Sequence, residues 1–176
     1  MNGRFDIFIS YRRKGGYDTA KLLYDRLRMD GYSVSFDMDT LERGVFGKEL
    51  EQRVNACRDF LLVLSPGIFD RILDPESDPE NDWVFREIAC ALAGKKNVVP
   101  LALENFVFPK NLNLPGNIKD ITGINALDLP PKYFEAAYAK LKQGFLLSKP
   151  HWTTRHKKKI IALLSIAFLA FAAWLY

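Results

Sequence analysis

The chain has 176 residues, 48% of them hydrophobic, enough for one globular domain with a substantial core and little for a second. Its net charge of +4 suggests nucleic acid only until it is located: Lys149, Arg155, Lys157, Lys158 and Lys159 supply five positive charges after residue 148, where no acid stands, so residues 1–148 carry a net −1. Basicity confined to one tail excludes a basic nucleic-acid-binding face on the domain.

Four short apolar runs, Asp6 to Tyr11, Ser33 to Phe36, Phe60 to Leu64 and Val98 to Leu103, are mostly bounded by turn residues and predict buried parallel strands. Helical patterns separate them. The first carries Ala20, Leu23 and Leu27, with Asp18 or Thr19 as a cap and Gly31 as a C-terminal stop. Leu50, Val54 and Cys57 mark a second, Val84, Ile88 and Ala91 a third, and Phe134, Ala137, Tyr138, Leu141 and Phe145 a last one. This alternation predicts an α/β domain with a doubly wound parallel sheet, helices on both faces and ligands at the carboxyl ends of the strands.

Residues 149–159 form a basic linker, and residues 160–176, IIALLSIAFLAFAAWLY, run without a charge for 17 residues, at the short end of the roughly 17–25 needed to span a bilayer. A single transmembrane helix is expected there, with Trp152, Trp174 and Tyr176 as interfacial aromatics. RHKKK before it places the domain, residues 1–148, on the cytoplasmic side. An apolar helix packed on the domain or in an oligomer is the alternative.

Cys57 and Cys90 lie in apolar helical patterns and read as buried free thiols; His151 and His156 fall in the tail, away from any catalytic centre in the domain. The acidic stretch DPESDPEND, Asp74 to Asp82, lacks the glycine and terminal glutamate of an EF-hand and reads as a solvated loop, so no metal is expected.

The strand ends at Ser10-Tyr11-Arg12-Arg13, Asp37 and Ser65-Pro66 open onto one edge. Neither G-x-G-x-x-G nor G-x-x-x-x-G-K-[ST] occurs, so a nucleotide would have to be held another way. Arg12 and Arg13 could fork onto phosphate oxygens, although paired arginines in a loop are ordinarily surface charge. With Asp82 capping the third helix, Trp83 and Glu87 stand four apart, an aromatic platform beside a carboxylate at the margin of the core stripe. On spacing alone Glu87 also reads as a solvated helix glutamate beside a packed tryptophan.

DIFISYRR, FDMDTLERGVFGKEL, FLLVLSPG and DWVFREIACAL, in that order over residues 5–146, resemble a Toll/interleukin-1 receptor (TIR) domain, and most nearly the NAD-cleaving type. The resemblance implies a flavodoxin-like fold and makes the charged stretch Asp37–Gly47 the BB loop, which borders the active site and mediates contacts between TIR domains. It implies Glu87 as the catalytic residue, within W-x-x-x-E from Trp83, and Arg12, Arg13, Glu42 and Phe46 as nucleotide contacts. Tyr11 and Ser65 lie beside the pocket. The expected activity is a membrane-anchored NAD+ nucleosidase that releases nicotinamide and ADP-ribose or a cyclic or variant form, in antiviral (anti-phage) defence, with NAD+ as substrate and no cofactor. The expected partners are NAD+, further copies of the chain and a lipid membrane; no nucleic acid is expected. A non-enzymatic adaptor that recruits other TIR domains is the alternative.

Overall fold

A computed structural model describes residues 5–36, 46–109 and 112–150, with backbone only for 46–48. The expected transmembrane helix at 160–176 and most of the loop Asp37–Gly47 lie outside these residues. Among the described residues, no helix is long and apolar enough to cross a membrane.

Five parallel strands form the sheet: β1 (Ile7–Tyr11), β2 (Val34–Phe36), β3 (Asp59–Leu64), β4 (Asn97–Ala102) and β5 (Leu127–Asp128), in the order β2-β1-β3-β4-β5. This is the flavodoxin-like order, in which the chain first winds from β1 to β2 and then crosses to β3 on the other side of β1. The switch places the ends of β1 and β3 side by side. All residues of β1, β2 and β3 are buried, as their continuous apolar runs require. β5 was not anticipated, because two residues are too few for a period to show. It pairs with β4 only from Leu101, so β4 is an edge strand at Pro100, where a residue without an N–H is tolerated.

Among the described residues five α-helices cover the sheet: α1 (Arg13–Asp30), α2 (Phe46–Ala56), α3 (Asp70–Leu73), α4 (Trp83–Ala93) and α5 (Phe134–Lys140), the last continuing into a π-helical turn, Leu141–Phe145. One core joins Ile7, Ile9 and Tyr11 of β1 to Ala20, Leu23 and Leu27 of α1 and to Phe134, Ala137 and Tyr138 of α5. The other joins Phe8 of β1 to Leu50 and Val54 of α2, Ile72 of α3, and Val84, Phe85, Ile88 and Ala91 of α4. The side-chain alternation of β1 thus separates the two layers.

Two helix boundaries show why local signals succeed or fail. α1 ends at Gly31, whose φ of 96° is free of the penalty a Cβ would bring and whose N–H returns to the last turn. Its start differs from the expected cap at Asp18 or Thr19. Arg12 stands at the N-cap without a side-chain cap bond, and the chain leaves helical geometry at Lys14 and at Gly15 (φ 82°) before the helix runs on from Gly16. The left-handed glycine redirects the chain immediately after β1, so the helix starts before the candidate caps.

Cys57 lies just past α2 and is buried, which pushes its thiol up to about 12; burial also raises Cys90, which is only partly covered. Both are free thiols, and the raised values make them poor nucleophiles.

Candidate functional site

The carboxyl ends of β1 and β3 meet the start of α4, and the site is built there. α4 begins because Asp82, in extended conformation, accepts the Phe85 backbone N–H at 3.0 Å, the N-cap expected from the sequence. From this cap, Val84, Glu87, Ile88 and Ala91 follow at helical spacing and all are buried against the sheet. Glu87 therefore lies on the core face itself, not at its margin, and is only 7% exposed. Trp83, one turn earlier, is 45% exposed, with the Arg86 guanidinium 5.3 Å from its ring centroid.

A buried carboxylate needs donors. Ser10, itself 1% exposed, donates from Oγ to Glu87 Oε2 at 2.5 Å. Two residues on, Arg12 donates through Nη1 to Asp82 Oδ2 at 2.6 Å and through Nη2 to Asp82 Oδ1 at 3.1 Å. Nη2 also reaches the Ile68 carbonyl at 2.8 Å. Asp82 is almost fully buried, so this is a shielded, two-pronged ion pair whose disruption would strand a charge.

The turn after β3 supplies the rest of the wall. Gly67 takes φ 77°, where any Cβ is strained, and a Cβ there would also come within 2.7 Å of the Asp70 carboxylate, which would have to move. Ser65 is 0% exposed, and its hydroxyl has no hydrogen-bond partner among the described residues. It sits under the turn that follows β1, where a Cβ on Gly16 would lie 3.5 Å from Ser65 Oγ. The left-handed Gly15 shapes that turn, while a Cβ at either glycine would meet the serine at ordinary contact distance.

Of the residues singled out in the sequence, Arg12, Trp83 and Glu87 gather around the start of α4, and Ser65 lies beneath the neighbouring turn. Arg12 has its fork occupied by Asp82. Tyr11 points to the opposite face of β1, stacked 5.1 Å from Phe36 in an aromatic group with Tyr17. Arg13 is exposed at the first position of α1. Glu42 and the Phe46 side chain lie outside the described residues. Two site residues were not singled out by sequence: Ser10, and Asp82 as an ion-pair partner. A signal for Ser10 exists, since it is the polar residue in an otherwise apolar strand, in phase with Phe8 and Arg12.

The acids of the 74–82 loop shape turns. Asp74 accepts from the Glu76 N–H and the Ser77 hydroxyl, Asp78 caps a short 3₁₀ turn (Pro79–Asn81), and Asp82 caps α4. Among the described residues no cluster of His, Cys, Asp or Glu is arranged to hold a metal ion.

The arrangement offers a carboxylate in a shielded setting beside an exposed aromatic surface, at the switch point of the sheet, where doubly wound folds bind ligands. The family model described as TIR domain matches residues 7–142. The chain is 35% identical over 161 residues to the NAD(+) hydrolase tir-1 of Caenorhabditis elegans, covering 91% of this chain and 16% of that protein. It is 40% identical over 136 residues to the NAD(+) hydrolase SARM1 of Danio rerio, covering 77% and 19%, and 33% identical over 143 residues to the NAD(+) hydrolase sarm1 of Drosophila melanogaster, covering 81% and 10%. The chain thus spans between a tenth and a fifth of the length of these relatives. Among solved structures, the TIR domains of the activated Roq1 resistosome share the fold with a TM-score of 0.56 at 17% identity, covering 79% of this chain and 98% of theirs. A TIR-STING receptor from C. gigas does so with 0.56 at 16%, covering 85% and 41%.

Proposed function

Because the chain belongs to the TIR domain family, and its identity to three NAD(+) hydrolases runs from 33% to 40%, we propose that it cleaves the nicotinamide–ribose bond of NAD+. The observation that carries this reading is the buried Glu87 carboxylate, held by Ser10 at the carboxyl edge of the sheet beside the half-exposed Trp83.

Breaking that bond develops positive charge on the ribose, and a fixed carboxylate in a water-poor setting stabilises it more strongly than one in bulk water. Nicotinamide leaves as a neutral molecule from a cationic ring, so no general acid is needed and a single carboxylate suffices. Trp83 offers a face for stacking on an aromatic base. Arg13, Glu42 and Phe46 complete the proposed nucleotide contacts, with Arg12 beside them in its pair with Asp82. Water captures the ribosyl cation to give ADP-ribose, or an internal nucleophile captures it to give a cyclic or variant product; NAD+ is the substrate and no cofactor is involved.

The proposal includes two further parts. Copies of the chain associate through TIR–TIR contacts that include Asp37–Gly47. The charge-free run 160–176 after the basic linker anchors the domain, residues 1–148, on the cytoplasmic face of a membrane. A setting in anti-phage defence rests on family analogy.

The test is incubation of the full chain in liposomes with NAD+, with nicotinamide and ribosyl products followed by mass spectrometry. Wild type is expected to release nicotinamide and folded Glu87→Ala none. Equal NAD+ loss in the variant would sink the reading, and no loss from dense, folded wild type would favour a non-enzymatic adaptor. Turnover that rises steeply with surface density would support assembly.

A further inference from the structure

Ser10 and Arg12 stand two apart at the end of β1, and the alternation along a strand puts both on the side that packs against α4. Phe8 marks that side, since it shares a core with α4, whereas Ile9 and Tyr11 belong to the other core. Each of the two reaches a different point on α4. Ser10 donates to Glu87, and Arg12 closes its fork on Asp82, the residue that caps the helix.

The spacings match. Asp82 and Glu87 are about 7.5 Å apart along a helix axis that rises 1.5 Å per residue. Ser10 and Arg12 are about 6.6 Å apart along a strand that rises 3.3 Å per residue. With both contacts made, α4 can neither slide along β1 nor turn about its own axis. Arg12 also bonds the Ile68 carbonyl, so the same guanidinium fixes the turn after β3.

We propose that Ser10 and the Arg12–Asp82 pair are positioning residues, a two-point clamp that aims the Glu87 carboxylate at the ribose of the substrate. This rests on the reading of Glu87 as the group that acts on NAD+. The clamp contributes orientation, which is expressed in kcat, and not substrate affinity.

The experiment measures NAD+ turnover by the full chain in liposomes for wild type, Ser10→Ala, Ser10→Thr, Asp82→Asn and Glu87→Gln, with thermal unfolding of each. Asp82→Asn keeps an equally good cap and removes the ion pair, so α4 should still form. Ser10→Ala and Asp82→Asn are each expected to lower kcat roughly tenfold to a hundredfold, the range that small misplacements of a reacting group produce. KM should stay within about twofold, and Ser10→Thr, which keeps the hydroxyl, should recover most of the loss.

Unchanged kcat in folded Ser10→Ala and Asp82→Asn overturns the proposal. So does a raised KM at constant kcat, which would make these residues substrate contacts, or a Ser10→Thr variant as slow as Ser10→Ala, which would make the effect one of packing. If Asp82→Asn does not fold, the two Ser10 variants decide the matter. Glu87→Gln separates this proposal from the one beneath it. If that variant consumes NAD+ like wild type, or wild type consumes none, the functional reading falls and the clamp with it. If Glu87→Gln is inert while Ser10→Ala and Asp82→Asn turn over normally, the clamp alone falls.

Discussion

Two of the buried carboxylates, Asp59 at the amino edge of the sheet and Glu87 at the carboxyl edge, are built for different ends. At the amino edge, Asp59 opens β3, is 0% exposed, and accepts from the Asn97 side chain at 2.6 Å, the Leu147 N–H at 2.9 Å and the Ser148 N–H at 2.8 Å. Ser148 Oγ adds a bond to the Asp6 carbonyl. This carboxylate, with the Ser148 hydroxyl, fastens residues 147 and 148 to the starts of β3, β4 and β1. At the carboxyl edge, Glu87 is held by a strand hydroxyl one helical turn from a half-exposed tryptophan. Burial alone therefore does not identify a reactive carboxylate; what its surroundings leave accessible does.

Exchanging the demands on the two groups should break the comparison most visibly at Glu87. Glu87→Gln preserves shape and removes the charge that opposes the developing ribosyl cation. A loss in kcat of about a hundredfold to a thousandfold is expected, the range found for single electrostatic groups. The melting temperature should change far less than in an Asp59 variant. Nicotinamide release and calorimetry on one preparation measure both.

Asp59→Ala should do the reverse. It removes the acceptor of the buried Ser148 N–H and of two part-buried donors, the Asn97 amide and the Leu147 N–H, and at about 1 kcal/mol each, the low end for such groups, a loss of about 3 kcal/mol is expected. At roughly 2–4 °C per kcal/mol for a domain of this size, the melting temperature should fall by about 6–12 °C. Turnover per folded molecule should be unchanged. A fall in kcat of the folded fraction would show that the two edges are coupled through β3, contrary to the division drawn above.

Much of this architecture was legible in the sequence, for a physical reason. Strands buried on both faces must be apolar throughout, which is why DIFISY, SVSF, FLLVL and VVPLAL stand out, and Gly31 and Asp82 declared their helix ends through conformations and bonds confined to a few residues. Trp83 and Glu87 were found by helical spacing and by resemblance. Spacing placed Glu87 at the margin of its helix, because periodicity cannot distinguish a carboxylate that meets solvent from one that meets a hydroxyl 77 residues earlier in the chain. Arg12 shows the same limit: its sequence suggests phosphate, and the fold supplies Asp82, 70 residues away, for the same fork. Contacts across such separations are decided by which strands become neighbours. The start of α1 escaped notice because Gly15 turns the chain where a polar cap would otherwise be sought.

A smaller effect is expected from Gly67→Ala, which tests the turn after β3 that walls the carboxyl edge. The substitution puts a Cβ at φ 77° and within 2.7 Å of Asp70. Strain of this kind costs on the order of 1–3 kcal/mol. Because Ile68, the next residue, receives Arg12, the variant should also lower kcat modestly, and a stability loss with full turnover would place the turn outside the site.

The smallest expected effect lies at the end of α1, where it meets α5 and the turn that follows it. Burial pushes the Asp30 carboxyl up, but hydrogen bonds from Lys142 and Tyr138 outweigh it, so the group titrates below its ordinary value of 3.8. A carboxyl with a lower value folded than unfolded stabilises the protein above the ordinary value, and that contribution fades as pH falls through the depressed one. Asp30→Asn should therefore reduce stability at neutral pH and flatten its decline in acid, with no change in NAD+ turnover. Acid unfolding monitored by circular dichroism measures the slope. A variant whose acid transition has the wild-type steepness would show that the pair is formed too weakly in water to matter, as many exposed ion pairs are.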